Sequence, residues 1–173
     1  MERARLGAMN YDLQLREVVE DDLPIFFEYQ LDEEANHMAA FTAKDPTDRE
    51  AFMAHWRRIL RDESTINRTI LVDGQVAGSV ALYRDEELDG PEVTYWIGRP
   101  YWGRGVATGA LATFISHVVK TRPLYGRAAK DNIGSLRVLA KCGFQRIGEG
   151  KGFANARGAE TEEYVLKLPS PTL

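Results

Sequence analysis

The sequence predicts one α/β (α+β) domain in which helices pack against a mixed sheet. Three observations carry this. Strand-like and helix-like segments alternate through the second half of the chain. An Asp73-Gly74 pair between two apolar runs marks a tight hairpin in the first half. Finally, 173 residues that are 44% apolar and 28% charged suit a single core, and one cysteine excludes a disulfide framework or a Cys-based zinc site.

Residues 1–10 are expected to form a flexible tail ahead of one domain over 11–169. Leu13–Glu17 reads as a short strand. Asp21-Asp22 offers an N-cap and first-turn acids for a helix to about Gln30, and Leu31–Asp45 shows no regular pattern. Asp48 caps a second helix whose Phe52, Trp56, Ile59 and Leu60 share one face, with Phe52 and Trp56 expected in the core. Thr69–Val72 and Gln75–Tyr83 flank the Asp-Gly turn, a pair suited to the positive φ angles of type I′. After a polar loop, Glu92–Gly98 alternates as a strand. Val106–Lys120 is helical, with Ala107, Ala110, Leu111, Phe114, Ile115 and Val118 on one face. Pro123–Ala129 is a strand. Asp131 or Asn132 caps a last helix carrying Leu136 and Leu139, and Gly143 stops it as a left-handed C′ residue. Phe144–Gly148 and Glu162–Leu168 are the final strands.

Charge divides unevenly. Arg99–Lys151 holds ten Lys/Arg against two acids, whereas the whole chain is −4. This split suggests a basic face for a polyanion beside an acidic face for a cation, or differently charged solvated surfaces. Net acidity argues against a nucleic-acid partner. No apolar run is long enough to span a bilayer, and Met1–Asn10 lacks a signal-peptide apolar stretch, so the chain reads as cytoplasmic with no membrane partner. His37, His55 and His117 are scattered, so no metal is expected.

The segment that carries chemistry is Tyr95–Thr108, where a strand enters a Gly-rich turn that opens a helix. The first amides of such a helix lack intrahelical partners and carry the positive end of its dipole, which makes an anion cradle; a turn that needs glycine for steric reasons is the plainer reading. Gly98 and Gly103 have P-loop spacing, but Arg104-Gly105 follow where Lys and Ser/Thr are required. A dinucleotide fingerprint fails at Thr108.

A third pattern fits. Trp102-Gly103-Arg104-Gly105-Val106-Ala107-Thr108 resembles the pyrophosphate loop of the GNAT N-acetyltransferase superfamily, Gln/Arg-x-x-Gly-x-Gly/Ala. Trp102 replaces the usual Gln or Arg, as in the branch that acetylates ribosomal-protein N-termini. Asn132, Ser135, Lys141, Gly143 and Phe144 resemble that branch's second motif, Asn-x-x-Ser-x-x-x-x-x-Lys-x-Gly-Phe. The resemblance covers about Leu13–Leu168. It implies a mostly antiparallel sheet of about six or seven strands flanked by about four helices.

It also implies acetyl-CoA as co-substrate, lying in a V-shaped split between the Glu92–Gly98 and Leu124–Ala129 strands. Backbone groups of Tyr95 and Ile97 would bond the pantetheine arm, and the Ile97 amide could also polarise the thioester carbonyl. Trp102, Gly103, Arg104, Gly105, Val106, Ala107 and Thr108 would form the pyrophosphate loop, its amides from Arg104 to Thr108 holding the phosphates. Asn132 would contact the CoA arm. Arg137 either approaches the adenosine end or is a solvated helix residue. Much of the superfamily places a tyrosine acid where this chain has Leu139, which leaves Ser135 as the hydroxyl beside the sulfur or as a serine bonded to helix backbone. Glu92 is the candidate general base, with an edge-strand solvated glutamate as the alternative. The implied reaction is direct attack of a primary amine on the thioester in a ternary complex. The acceptor is a protein N-terminal α-amine or a small-molecule amine such as an aminoglycoside, polyamine or amino acid. A non-catalytic acyl-CoA-binding role and a homodimer also remain open. Acidic runs at Asp32-Glu33-Glu34 and Asp85-Glu86-Glu87 fall where the acceptor is expected to enter.

Overall fold

The structure is a computed structural model and describes residues 2–4 and 10–171. Its strands are β1 (Glu2–Ala4), β2 (Leu13–Glu17), β3 (Ile66–Val72), β4 (Gln75–Arg84), β5 (Pro91–Ile97), β6 (Leu124–Ala129), β7 (Gln145–Ala154) and β8 (Ala159–Leu168). The helices are α1 (Leu23–Gln30), α2 (Glu33–Ala39), α3 (Arg49–Arg61), α4 (Val106–Thr113) and α5 (Ile133–Lys141). One sheet contains all eight strands, in the order β1-β2-β3-β4-β5-β6-β8-β7. Neighbours are antiparallel except β5 and β6, which are parallel because α4 carries the chain across between them.

The expected architecture holds, with one more strand and one more helix. The tail expected over residues 1–10 lies largely outside the described residues, and Glu2–Ala4 within it pairs with β2. Helix α2 arises inside the segment that showed no regular pattern. Asp32 caps it, accepting from the Ala35 amide at 2.9 Å, and the helix is too short to display a periodicity. The last two strands are also longer than their apolar patterns, because β7 is rich in glycine and charge.

Local chemistry acts as the sequence indicates at three points. Asp73 and Gly74 have φ of 49° and 79°, and Val72 pairs with Gln75 across a two-residue turn. Gly143 has φ 93°, and the Phe144 amide donates back to the Leu139 carbonyl at 3.0 Å. Asn132 caps α5 through the Ser135 amide at 3.2 Å.

The core lies between the sheet and α4/α5. Val93 of β5, Leu82 of β4 and Leu124 of β6 meet Leu111 and Phe114 from the α4 segment and Leu139 from α5. Gly126 on β6 lets α5 approach: a Cβ there would stand 2.8 Å from Leu139 Cδ2. Phe52 and Trp56, expected in the core, instead form a half-buried satellite cluster, pairing with Phe27 and Phe26 at centroid separations of 5.3 and 4.9 Å. The amphipathic α3 buries no residue fully, so its aromatic stripe covers α1.

The charge split finds a different explanation from separate ligand faces. Arg99, Arg127, Lys130 and Lys151 of the basic block pair with Asp32, Glu34, Asp85, Glu87, Glu92, Glu162, Glu163 and Glu160 of the acidic remainder. Much of the asymmetry is therefore internal complementarity.

Candidate active site

Strands β5 and β6 are registered at a single pair, Glu92 opposite Tyr125, and then diverge. The Gly98 amide donates to the Ala77 carbonyl of β4 at 2.8 Å. By strand alternation the peptide groups of Ile97 and Tyr95 turn the other way, into the split between β5 and β6. The Ile97 carbonyl is bonded there by the Trp102 indole N–H at 2.8 Å. This uses the carbonyl and leaves the Ile97 amide as the donor facing the split. The substitution of Trp for Gln or Arg therefore has a structural role, pinning the turn to the end of β5.

The turn follows directly. Gly103 and Gly105 have φ of 72° and 75°, a conformation other residues rarely adopt, and Gly105 is the N-cap of α4. Gly103, Arg104 and Gly105 are exposed, Ala107 and Thr108 are half-buried, and the first amides of α4 lack intrahelical partners. Two contacts brace the turn from behind. The Tyr11 hydroxyl donates to the Arg104 carbonyl at 2.6 Å, and the Arg104 guanidinium lies 5.1 Å from the Tyr11 ring centroid. Arg99 stacks on Trp102 at 4.4 Å while its Nη2 pairs with Glu34 at 2.8 Å. Its bonds to Asp32 hold that carboxyl down at about 2. Arg99 thus ties the cap of α2 to the turn. Helix-start amides without intrahelical partners, left-handed glycines and a nearby guanidinium fit a diphosphate chemically.

On the core side of the split, Ser135 Oγ lies 2.6 Å from the Tyr95 hydroxyl. Burial pushes Tyr95 up to about 12, so it remains protonated. Sequence reasoning assigned Tyr95 only a backbone role; its side chain reaches Ser135 because alternation points it towards α5. Asn132 is engaged twice, by the cap and by donation to the Met38 carbonyl at 3.2 Å. Arg137 is exposed on α5. Leu139 is core, and Cys142 is a packed thiol pushed up to about 11 by burial.

The opposite face holds a charged cluster that the sequence did not reveal. Glu92 is 5% exposed, which removes the reading as a solvated edge residue. The Tyr83 hydroxyl donates to its Oε2, and Arg127 Nε lies 2.7 Å from its Oε1. That ion pair is not aligned as a hydrogen bond, so Oε1 is buried without a hydrogen-bonding partner among the described residues. Arg127 also meets Asp85, Glu87 at 3.5 Å and Glu163 at 3.9 Å. Burial raises the Glu92 carboxyl despite Tyr83 and Arg127, and burial likewise raises Glu163. The four strands β4, β5, β6 and β8 contribute one group each to Tyr83, Glu92, Arg127 and Glu163, so no linear motif exists to find. The acidic runs are also less free than they looked, since Arg99 holds Asp32 and Glu34 and Arg127 holds Asp85.

A diverging parallel strand pair followed by a glycine turn and a helix N-terminus forms a cleft that ends in an anion-binding turn. Residues 12–145 match the family model described as an acetyltransferase (GNAT) domain, and the chain belongs to that family of acetyltransferases, which use acetyl-CoA. Among similar proteins, YdaF of Bacillus subtilis, provisionally named a ribosomal N-acetyltransferase, is 29% identical over 64% of this chain. The match spans 65% of YdaF, just under two thirds of its length. The uncharacterised N-acetyltransferase p20 of Bacillus licheniformis is 24% identical over 90% of this chain and 92% of its own. The fold is similar to that of Mycobacterium smegmatis RimJ, solved with CoA-disulfide, at a TM-score of 0.74 and 21% identity over 92% of this chain and 82% of RimJ.

Proposed function

We propose that this protein is an acetyl-CoA-dependent N-acetyltransferase in which a primary amine, favoured as a protein or peptide N-terminal α-amine, attacks the thioester directly. The observation that carries the reading is the split itself, with the Ile97 amide facing it and the exposed glycine turn at its mouth. Acetyl-CoA supplies the activated acetyl group when bound. Amides from Arg104 to Thr108, within the Trp102–Thr108 turn, hold its diphosphate, Tyr95 and Ile97 backbone groups align its arm, and the Ile97 N–H draws charge from the carbonyl oxygen.

The acceptor must lose a proton to react: an α-amine titrates near ~8 and a lysine near ~10.4. Glu92, with its carboxyl raised by burial, takes that proton through water from the far side of β5. Tyr95 and Ser135 share a hydrogen bond at 2.6 Å in which either hydroxyl can donate; with Tyr95 as the donor, the serine O–H is free to hydrogen-bond the departing sulfur. Asn132 fixes Ser135 through the cap, and Arg137 stands exposed towards the adenosine end. The α-amine preference draws on the ribosomal branch's motif and the naming of YdaF, and on the smaller proton-removal demand.

The test is thiol release from acetyl-CoA with mass readout across peptides with free α-amines, α-blocked lysine peptides, spermidine and an aminoglycoside. Acetylation of the free-α-amine peptides is expected. Tight acetyl-CoA binding with no turnover of any amine would overturn the catalytic reading, and turnover confined to the small amines would overturn the acceptor.

A further inference from the structure

We propose that Tyr83 carries the acceptor's proton to Glu92, as a relay between water on the open face of the sheet and the buried carboxyl; this rests on the reading of Glu92 as the base. The carboxyl cannot meet the amine itself. Glu92 is 5% exposed and sits where β5 and β6 pair, at the root of the split, whereas Ile97 stands at its open end. A group so placed needs a path for the proton. Tyr83 lies directly opposite Glu92 in the β4–β5 ladder, so the two share a face, the one turned away from α4 and α5. Unlike Glu92, Tyr83 is only half-buried. Towards the open end of the split on that face come Thr94, which is exposed, and its ladder partner Ala81, which is half-buried. These small side chains leave water a way along the face to Tyr83.

The two carboxyl oxygens of Glu92 are not equivalent. Oε1 is buried against Arg127 Nε at 2.7 Å, so a proton arriving there would meet a cation. Oε2 accepts from the Tyr83 hydroxyl, which makes it the oxygen a proton can reach. Burial and the neighbouring Glu92 raise the Tyr83 phenol well above its ordinary value, so at rest it is protonated and donating. Its oxygen keeps lone pairs for other donors, and Arg127 beside it steadies negative charge there while the phenolic proton moves. The remaining charged groups around this point are Asp85 and Glu87 on the β4–β5 loop and Glu163 on β8, and Arg127 of β6 pairs with all three. Arg127 therefore keeps counter-charges when Glu92 becomes neutral. Tyr125, opposite Glu92 on β6, is 5% exposed. Helix α4 brings no titratable side chain. Helix α1 carries Glu28, which is exposed, and Tyr29, whose carbonyl meets the Trp96 indole at the far end of β5.

In the step, the acceptor ammonium gives a proton to water, that water gives one to the Tyr83 oxygen, and the phenolic proton passes to Glu92 Oε2. The amine is left neutral, with its lone pair free for the thioester carbon. Glu92 becomes the carboxylic acid, and the water and the tyrosine end as they began. Return of the proton to solvent along the same chain restores the carboxylate.

Steady-state kinetics of the full chain with acetyl-CoA and a free-α-amine peptide, across neutral to alkaline pH, test the relay. Tyr83→Phe keeps the ring and removes the hydroxyl. It should lower kcat by about 10²-fold, the lower end of what a positioned proton-transfer group contributes, with acetyl-CoA KM within a few-fold of wild type and a residual rate that climbs with pH. Tyr83→Phe/Glu92→Gln should be no slower than Glu92→Gln alone to within a few-fold, because both changes cut one chain; a tyrosine that only packs would multiply the two losses. Tyr83→His should stay faster than Tyr83→Phe, because its ring can still pass a proton, and it serves in both backgrounds if the phenylalanine variant fails to fold. Thermal melts confirm folding. Wild-type rates in Tyr83→Phe beside a slow Glu92→Gln, losses that multiply, or histidine no faster than phenylalanine would each overturn the relay alone. Wild-type rates in Glu92→Gln would overturn the base and the relay together.

Discussion

Replacing Arg127 with methionine should destabilise the protein in a way that depends on pH. Its guanidinium is the cation among three shielded carboxylates: Glu92 is 5% exposed, and the side chains of Asp85 and Glu163 are 17% and 15% exposed. Breaking a buried pair by removing one partner costs about 3–5 kcal/mol. Arg127 keeps 22% of its side chain accessible, which favours the lower figure, about 3 kcal/mol near pH 8. For a chain of this length that is a fall of roughly 6–12 °C in Tm. The sign with pH follows from the raised carboxyls. A carboxyl titrating higher in the folded than in the unfolded state binds more protons when folded, so stability falls as pH rises through that interval. Glu92 and Glu163 both behave this way, from the ordinary glutamate value of 4.5 up to their folded values. Loss of Arg127 lifts those values further and extends the interval upward. The variant's deficit should thus be largest at alkaline pH and shrink as both glutamates protonate. Urea unfolding of wild type and Arg127→Met across pH 4–9 measures this, and Glu92→Gln in the Arg127→Met background should recover part of the loss. A deficit constant across pH, or no recovery from Glu92→Gln, would refute the claim that Arg127 acts by compensating these charges.

Four further outcomes follow from the site. Glu92→Gln should lower turnover by roughly 10²–10⁴-fold, with a residual rate that climbs with pH and an acetyl-CoA affinity close to wild type; wild-type rates across pH would place the base elsewhere. Gly105→Val should lower the apo Tm, because valine is strained at φ 75°, and should remove the rise in Tm that excess acetyl-CoA produces. Stabilisation of the wild type by ATP equal to that by acetyl-CoA would count against the diphosphate-turn assignment. Tyr95→Phe and Ser135→Ala should each reduce kcat with little change in acetyl-CoA KM, and the double variant should fall less than the product of the two if the hydroxyls act as a pair.

What could be read from the sequence was what depends on neighbours in the chain. The Asp73-Gly74 turn, the Gly143 stop, the Asp48 and Asn132 caps and the amides at the start of α4 each express a local backbone preference. The glycine turn also has an ordered partner motif downstream, so the family was legible before the geometry. Helix α2 was missed because its short sequence, Glu33–Ala39, has no apolar face of its own; the Asp32 cap and Arg99 stabilise it from outside. The extent of β7 was missed for a similar reason, since alternating glycines and charges resemble a loop until β8 supplies the ladder.

The Glu92 environment shows why the remaining part of the site was invisible. A glutamate at the start of a strand is compatible with solvent, a structural ion pair or a general base. Nothing within several residues of Glu92 distinguishes these, because the deciding groups lie on other strands. Tyr83 reaches it across the β4–β5 hairpin, and Arg127 reaches it only because β5 and β6 meet at the single Glu92–Tyr125 pair before diverging. That same pair marks the root of the split. The geometry that opens the split proposed to hold acetyl-CoA therefore also buries the Glu92 carboxylate and places a cation beside it. The split and the Glu92 environment are coupled through one strand junction. A substitution that shifts the β5–β6 register would be expected to disturb both the depth of the split and the proton affinity of Glu92, whereas one confined to the Trp102–Thr108 turn should affect the first alone.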